Sequence, residues 1–233
     1  MNNNLTSSSD APERVRIWDL PTRVFHILLI VCLVGLIITG NVGGGAMPWH
    51  FYFGYTALSL LLFRLVWGLV GGHWSRFVQF VPSPSRLRHY LQDLRSGRHR
   101  PAIGHNPIGA LSVLAMLLVL LAQVFSGFMS DDEIAASGPW TALVSSDWVE
   151  RATYYHTEIG KALIIVLVLL HIGAVVFYKR VKRDDLITPM VTGDKVLPSQ
   201  TTASRDTASS RAFALAVWLA CAYVVFRWVN LAA

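Results

Sequence analysis

The placement of the histidines is the feature of this chain that bears most directly on chemistry. Eight histidines occur in 233 residues. Three of them lie in a basic stretch and are expected to be solvated surface residues: His73, His89 and His99. The other five lie in or at the ends of long apolar segments: His26, His50, His105, His156 and His171. A polar ring in an apolar segment is unfavourable without a partner, which suggests a metal, a proton or a neighbouring helix as that partner.

Composition indicates the medium in which these histidines act. Hydrophobic residues make up 53% of the chain and charged residues only 15%, whereas soluble domains carry roughly 25% charged residues. The net charge is +6, but the basic residues gather in particular loops, which favours a membrane topology signal over nucleic-acid binding. Cys32 and Cys221 form no Cys-x-x-Cys-His motif, which excludes covalently attached c-type haem. We expect an integral membrane protein with no nucleic-acid partner.

Five apolar segments approach or reach the roughly 20 residues that a bilayer core requires. They span about residues 24–40, 51–70, 108–129, 154–178 and 212–231. Backbone groups find no water in hydrocarbon, so segments this long and apolar must be helices. The sequence therefore predicts an all-α membrane protein, with a four-helix transmembrane bundle and a fifth, C-terminal transmembrane helix.

The chain divides into four predicted units. Residues 1–13 are polar, lack the features of a signal peptide and are expected to form a disordered tail. Residues 14–187 would form the four-helix core. Residues 188–210 are rich in Thr, Ser, Pro and Gly and are expected to be a flexible linker. Residues 211–233 would form the fifth helix.

Charged loops predict the orientation. Basic residues precede the first segment, fill the loop at 71–107 and follow the fourth segment, whereas acidic residues dominate 130–153. Basic loops stay in the cytoplasm. We therefore expect the N-terminus inside and, if the fifth helix spans, the C-terminus outside.

Depth sorts the histidines into two pairs. His26 and His171 share the inner level, and His50 and His156 share the outer level. His156 and His171 are fifteen residues apart, about 22 Å along a helix and about 60° apart around it. Bis-histidine ligation of two stacked haems requires this arrangement. A proton relay or hydrogen bonds between helices are the alternatives, although only Ile, Leu, Val and Ala occupy residues 162–170.

Three further residues accompany the pairs. Gly54 and Gly160 each follow a histidine by four residues and would let a porphyrin approach the backbone, with close helix packing as the alternative. Arg64 lies at the inner level and could bind haem propionates, or extend its charge to the membrane surface.

Several motifs carry a resemblance to a known family. The segment Ile17–His26 (IWDLPTRVFH) resembles the opening of bacterial cytochromes of the b561 group, most closely the cytochrome b subunit of nickel–iron hydrogenases. The likeness continues through Phe63–Gly68, Gly104–Ala110 and Pro189–Gly193, and covers about residues 15–195.

This resemblance implies two b haems, ligated by His26 with His171 and by His50 with His156. It also implies electron exchange between the quinone pool and a periplasmic redox partner, of the hydrogenase or c-type cytochrome class, at the bacterial inner membrane. In a related formate dehydrogenase subunit, an asparagine near the start of the third helix lies beside the quinone. Asn106 matches that position, and helix capping is the simpler interpretation.

Other assemblies and functions stay open. A homodimer is compatible with the sequence. The haems could instead serve a self-contained oxidoreductase that passes electrons from superoxide or another small oxidant to quinone. A non-haem transporter or membrane anchor is the more distant alternative.

Overall fold

A computed structural model describes residues 12–98, 102–198 and 200–231. Its helices in chain order are α1 (Leu20–Val42), α2 (Met47–Val70), α3 (Phe77–Phe80), α4 (Pro84–Arg95), α5 (Pro107–Phe128), α6 (Ser146–Tyr154), α7 (Lys161–Phe177), α8 (Ile187–Thr192) and α9 (Ala208–Val229). Five helical stretches are long and apolar enough to cross a membrane. The predicted all-α membrane protein with five transmembrane helices is confirmed.

The fourth transmembrane stretch is longer than the sequence predicted. Helix α6 continues through a π-helical turn, Tyr155–Gly160, into α7 and then into a second π-helical turn, Tyr178–Lys182. Together they form one rod over Ser146–Lys182. The apolar pattern missed its first turns because α6 is polar. π-Helical turns are frequent at functional sites, and the first of these contains His156.

Side chains that satisfy free backbone N–H groups define where the helices begin. The carboxylate of Asp19 accepts a hydrogen bond from the Thr22 N–H at 2.8 Å, at the start of α1. Asn106 accepts from the Gly109 N–H at 2.8 Å, with Pro107 as the first residue of α5. Thr207 and Ser210 form a reciprocal capping box on α9. Each cap offsets one of the unpaired donors that every helix start exposes.

Helix α2 is the centre of the bundle, packing against α1, α9 and α5, while α7 packs mainly against α5. Its side chains Leu58, Leu61 and Trp67 are buried in the main hydrophobic cluster. Apolar side chains on the outer faces of the helices, such as Leu118 and Leu169, are exposed. Such an outer surface suits contact with lipid acyl chains.

A two-stranded sheet caps one end of the bundle. Strand β1 (Pro12–Arg16) pairs antiparallel with β2 (Asp194–Pro198), with Arg16 opposite Asp194. Arg16 also forms ion pairs with Asp194 and with Asp206, at 2.5 Å each. Asp206 in turn pairs with Arg211 of α9 at 2.8 Å. We call β1, β2 and Asp206 the cap sheet.

The cap sheet corrects the expected flexible linker at 188–210. That segment contains most of α8 and all of β2, and its strand is held by hydrogen bonds to the first described residues of the chain. Pro12 and Glu13, expected to be disordered, lie in β1, and the rest of the predicted tail lies outside the described residues. The division into a core at 14–187 and a separate unit at 211–233 stays a prediction.

Asp19 connects the cap-sheet ends of α1 and α2. Its buried carboxylate accepts hydrogen bonds from the Trp67 indole at 3.2 Å, the Gly72 N–H at 2.9 Å and the Ser75 hydroxyl at 3.1 Å, besides the Thr22 N–H. Buried charges need several donors to offset lost hydration. This hub therefore fixes the start of α1, and with it the position of His26 two turns further on.

Candidate functional site

His26 of α1 and His171 of α7 face each other across the bundle. Their ring centroids lie 6.4 Å apart, with the ring planes inclined by 57°. Both side chains are half-buried. This is the inner pair that depth along the sequence predicted, brought together from two helices 145 residues apart in the chain.

His50 of α2 and His156 of the first π-helical turn form a second facing pair. Their ring centroids are 6.1 Å apart, and the planes are nearly perpendicular, at 81°. His156 and His171 lie fifteen residues apart along the rod Ser146–Lys182, so the bundle holds one pair of imidazoles toward each end.

The spacing within each pair fits a metal ion held between two imidazoles. A metal–imidazole bond is about 2 Å long, which places the two ligating nitrogens about 4 Å apart and the two centroids about 6 Å apart. Both measured spacings match that value. Within the described ranges, no three or more His, Cys, Asp or Glu side chains converge to hold a metal. Two imidazoles suit haem iron, since the porphyrin supplies the other four ligands.

Hydrogen bonds set the orientation of the His156 ring. Its Nδ1–H donates to the backbone carbonyl of Gln123 at 2.8 Å. The side-chain amide of Gln123 donates back to the His156 carbonyl at 2.8 Å. With the proton on Nδ1, the lone pair of Nε2 is free to ligate a metal.

His50 is oriented in a comparable way by α1. The Thr39 hydroxyl donates to the Gly35 carbonyl at 2.6 Å, and its oxygen lies 3.2 Å from Nδ1 of His50. Because the hydroxyl proton is already used, Nδ1–H of His50 is the donor in the second contact. Nε2 of His50 is therefore also free to ligate.

Two glycines that the sequence did not single out allow the outer rings to fit. A Cβ at Gly127 would lie 2.7 Å from the His156 ring, and one at Gly40 would lie 3.0 Å from the His50 ring. A larger residue at Gly127 would displace the His156 ring, and one at Gly40 would crowd the His50 ring. Since Gly40 and Gly127 are neither i+4 nor i−4 to a histidine, only the fold brings them to the rings.

The two predicted glycines differ from each other. A Cβ at Gly54 would meet only Leu36, at 3.9 Å, so this face of α2 is open near His50. A Cβ at Gly160 would run into the side chain of Gln123. The contact at Gly160 suits the helix-packing alternative, and a role for either glycine beside a cofactor stays a prediction.

Arg64 of α2 is buried at the inner level, with only 3% of its surface exposed. Its guanidinium lies over the rings of Phe77 and Phe80, at 4.9 and 5.7 Å from their centroids. Its Nη1 atom is buried and has no hydrogen-bond partner among the described residues. A buried, unpaired donor of this kind fits an anionic group of a cofactor.

His105 belongs to the same level, although its spacing in the sequence predicts no role for it. Its ring packs against Trp18 and Phe80, with centroids 4.8 and 4.6 Å apart, and its buried Nδ1 has no hydrogen-bond partner among the described residues. Burial, together with the nearby charges of Arg64, His171 and His26, lowers the pKa of His105 to about 3. The ring is neutral at physiological pH.

The remaining polar candidates have ordinary structural roles. Asn106 caps α5, as the simpler interpretation predicted, and a place beside a quinone stays a prediction. His89 is exposed, and its Nδ1–H donates a hydrogen bond to the Ser85 carbonyl. His73 contacts the side chains of Arg76 and Trp74. His99 lies outside the described residues.

Comparisons with known proteins indicate the family of the chain. A family model described as prokaryotic cytochrome b561 matches residues 17–193. A probable Ni/Fe-hydrogenase B-type cytochrome subunit of Rhizobium leguminosarum bv. viciae is 24% identical over 216 residues, covering 79% of this chain and 90% of that protein. Its counterpart in Azotobacter chroococcum mcd 1 is 25% identical, and the match covers 80% of this chain and 92% of that protein. A probable Ni/Fe-hydrogenase 1 B-type cytochrome subunit of Escherichia coli K12 is 28% identical over 138 residues. This match covers 48% of this chain and 58% of that protein. No solved structure matches the chain.

Proposed function

Because the chain belongs to the prokaryotic cytochrome b561 family, we propose that it carries single electrons across the membrane on two b haems, one held by His26 and His171 and the other by His50 and His156. The observation that carries this proposal is the spacing of the ring pairs, 6.4 and 6.1 Å, at two levels of one bundle. When bound, each haem supplies a one-electron couple at its iron.

The residues around each pair have defined tasks in this proposal. Gln123 and Thr39 hold the outer rings in the tautomer that presents Nε2. Gly127 and Gly40 give those rings room. At the inner level, Arg64 offers a buried positive charge for a propionate.

We propose that the outer haem exchanges electrons with a periplasmic redox protein. The relatives that the chain matches over most of its length are named as Ni/Fe-hydrogenase cytochrome subunits, which favours a hydrogenase, with a c-type cytochrome as the other class. The inner haem would exchange with quinone near Asn106, beside His105. We propose that the chain lies in the bacterial inner membrane with its N-terminus in the cytoplasm and its C-terminus in the periplasm, because basic loops favour the cytoplasmic side.

A pyridine haemochrome assay on the purified full-length chain tests the haem proposal directly. We expect two b haems per chain. His26→Gly or His171→Gly should remove one, His50→Gly or His156→Gly the other, and free imidazole should restore the lost haem. The matched control is His89→Gly, at an exposed histidine, which should keep both. Absence of haem from the native chain, or full retention in all four variants, would overturn the proposal.

The partner proposal needs a separate measurement. In proteoliposomes that contain the loaded chain, a quinol should reduce the haem bands. Hydrogen should reduce them only after a Ni/Fe hydrogenase is added on the side of the acidic loop, residues 130–153. A chain that binds two haems but responds to neither donor would refute the electron route while leaving the haem assignment intact.

A further inference from the structure

Two buried polar atoms at the inner level have no hydrogen-bond partner in the part of the chain that the structure describes, and they lie close together. They are Nη1 of Arg64 and Nδ1 of His105. Phe80 connects them, since its ring contacts the guanidinium of Arg64 on one side and the imidazole of His105 on another. The residues come from different parts of the chain, α2 and the residues just before α5, so only the fold brings them together.

The nearest carboxylate does not satisfy Arg64. Asp19 interacts electrostatically with Arg64, but its oxygens accept hydrogen bonds from Thr22, Trp67, Gly72 and Ser75. The ion pairs found among the described residues do not include Arg64. A buried guanidinium without an ion-pair partner is strongly unfavourable. The arrangement therefore calls for an additional acceptor that carries negative charge.

We propose that Arg64 and His105 together form a carboxylate-binding site, and that its ligand is a propionate of the haem held by His26 and His171. The inference rests on the proposed function. A carboxylate has two oxygens, so one can accept from Nη1 of Arg64 and the other from an N–H of His105. Phe77 and Phe80 hold the guanidinium plane in place, and Trp18 holds the imidazole.

His105 differs from Arg64 in what it contributes. Arg64 supplies charge, whereas the neutral ring of His105 supplies a directed hydrogen bond. An uncharged donor beside the guanidinium avoids a second buried positive charge close to the ligating histidines. His105 would thus be a positioning residue, which would hold the carboxylate in place beside Arg64.

Haem with esterified propionates tests the carboxylate contact. The full-length chain is loaded with haem b or with its dimethyl ester, and the rate of haem loss to an excess of apomyoglobin is measured. Arg64→Gln should accelerate loss of one of the two natural haems on the order of tenfold, as expected for a lost charge-assisted hydrogen bond, but should change loss of the ester less than twofold. Arg86→Gln, which removes an exposed positive charge from α4, should change neither.

Variants at His105 test the hydrogen bond. His105→Leu should accelerate loss of the same haem severalfold, and His105→Asn, whose amide nitrogen can replace Nδ1, should restore most of the retention. Redox-induced infrared difference spectra should show a propionate carboxylate band that moves in Arg64→Gln and in His105→Leu. Equal effects on natural and esterified haem, or an unmoved carboxylate band, would overturn this site. Failure of the proposed function would differ, because the native chain would then bind no haem.

Discussion

Gln123 and His156 hold each other by two hydrogen bonds that run in opposite directions. The imidazole Nδ1–H of His156 donates to the Gln123 carbonyl, and the Gln123 amide donates to the His156 carbonyl, both at 2.8 Å. The second bond satisfies a carbonyl in the π-helical turn Tyr155–Gly160, where the ordinary helical ladder is interrupted. One side chain of α5 thus fixes both the backbone and the ring of the proposed outer ligand.

Gln123→Leu tests this coupling. The variant keeps the backbone carbonyl but removes the amide hydrogen bond to the His156 carbonyl, which should destabilise the fold by about 0.5 to 1.5 kcal/mol. We expect lower thermal stability in detergent and a shift in one of the two haem spectral components. Gln92→Leu, at an exposed position on α4, is the control. A Gln123→Leu protein with native stability and native spectra would contradict the proposed role of the amide.

Gly127→Ala tests the space that the His156 ring requires. The added Cβ would lie 2.7 Å from that ring, and relieving such overpacking should cost about 1 to 3 kcal/mol. We expect loss or weakening of the outer haem alone, measured as haem per chain. Gly173→Ala on α7 is the matched control, because nothing lies within 4 Å of its Cβ. Equal haem content in both variants would show that the close contact is not limiting.

The sequence predicted the elements better than the contacts between them. The length of the apolar segments and the charged loops between them were sufficient to predict five helices. The depth of each histidine along its helix was sufficient to predict the pairs His26 with His171 and His50 with His156. Strand β2 was missed because its partner, β1, lies about 180 residues earlier in the chain, and hydrogen bonds over such distances leave no local pattern. Gly127 was missed for the same reason.

Local rules also left the roles of individual residues undetermined. Spacing of four residues singles out Gly160, where a Cβ would meet Gln123, and its role beside a cofactor stays a prediction. His105 was left without a role because neither its spacing nor its depth distinguishes it, and only the burial of its Nδ1 next to Arg64 does so. Burial of a single atom depends on several elements at once, here α2, α3 and the residues before α5.

Asp19→Asn tests the hub between α1 and α2. An asparagine keeps one acceptor oxygen but turns an NH₂ group toward donors from Trp67, Gly72 and Ser75. It also removes the negative charge near buried Arg64. We expect the free energy of unfolding to fall by roughly 3 kcal/mol or more, seen as a lower melting temperature.

The control is Asp93→Asn, which breaks an exposed ion pair with Arg98 and should change the free energy of unfolding by less than about 0.5 kcal/mol. Similar melting temperatures for the two variants would refute the hub.

The pH dependence of stability should report on the cap sheet through Asp206. Burial raises the pKa of this carboxyl, but hydrogen bonds from Arg211, the Leu20 backbone and Arg16 outweigh it, so the pKa in the folded protein lies below the ordinary value of 3.8. A depressed carboxyl pKa gives stability that is present above about pH 3.8 and is lost as the pH falls through the pKa of the folded protein.

We expect the melting temperature to fall with acidification over that pH range. Asp206→Asn should lower the melting temperature at neutral pH and flatten its fall with acidification. Arg211→Gln, which removes one of the partners, should give an intermediate slope. An Asp206→Asn protein whose acid-dependent fall matches that of the native chain would show that Asp206 does not hold the cap sheet to α9.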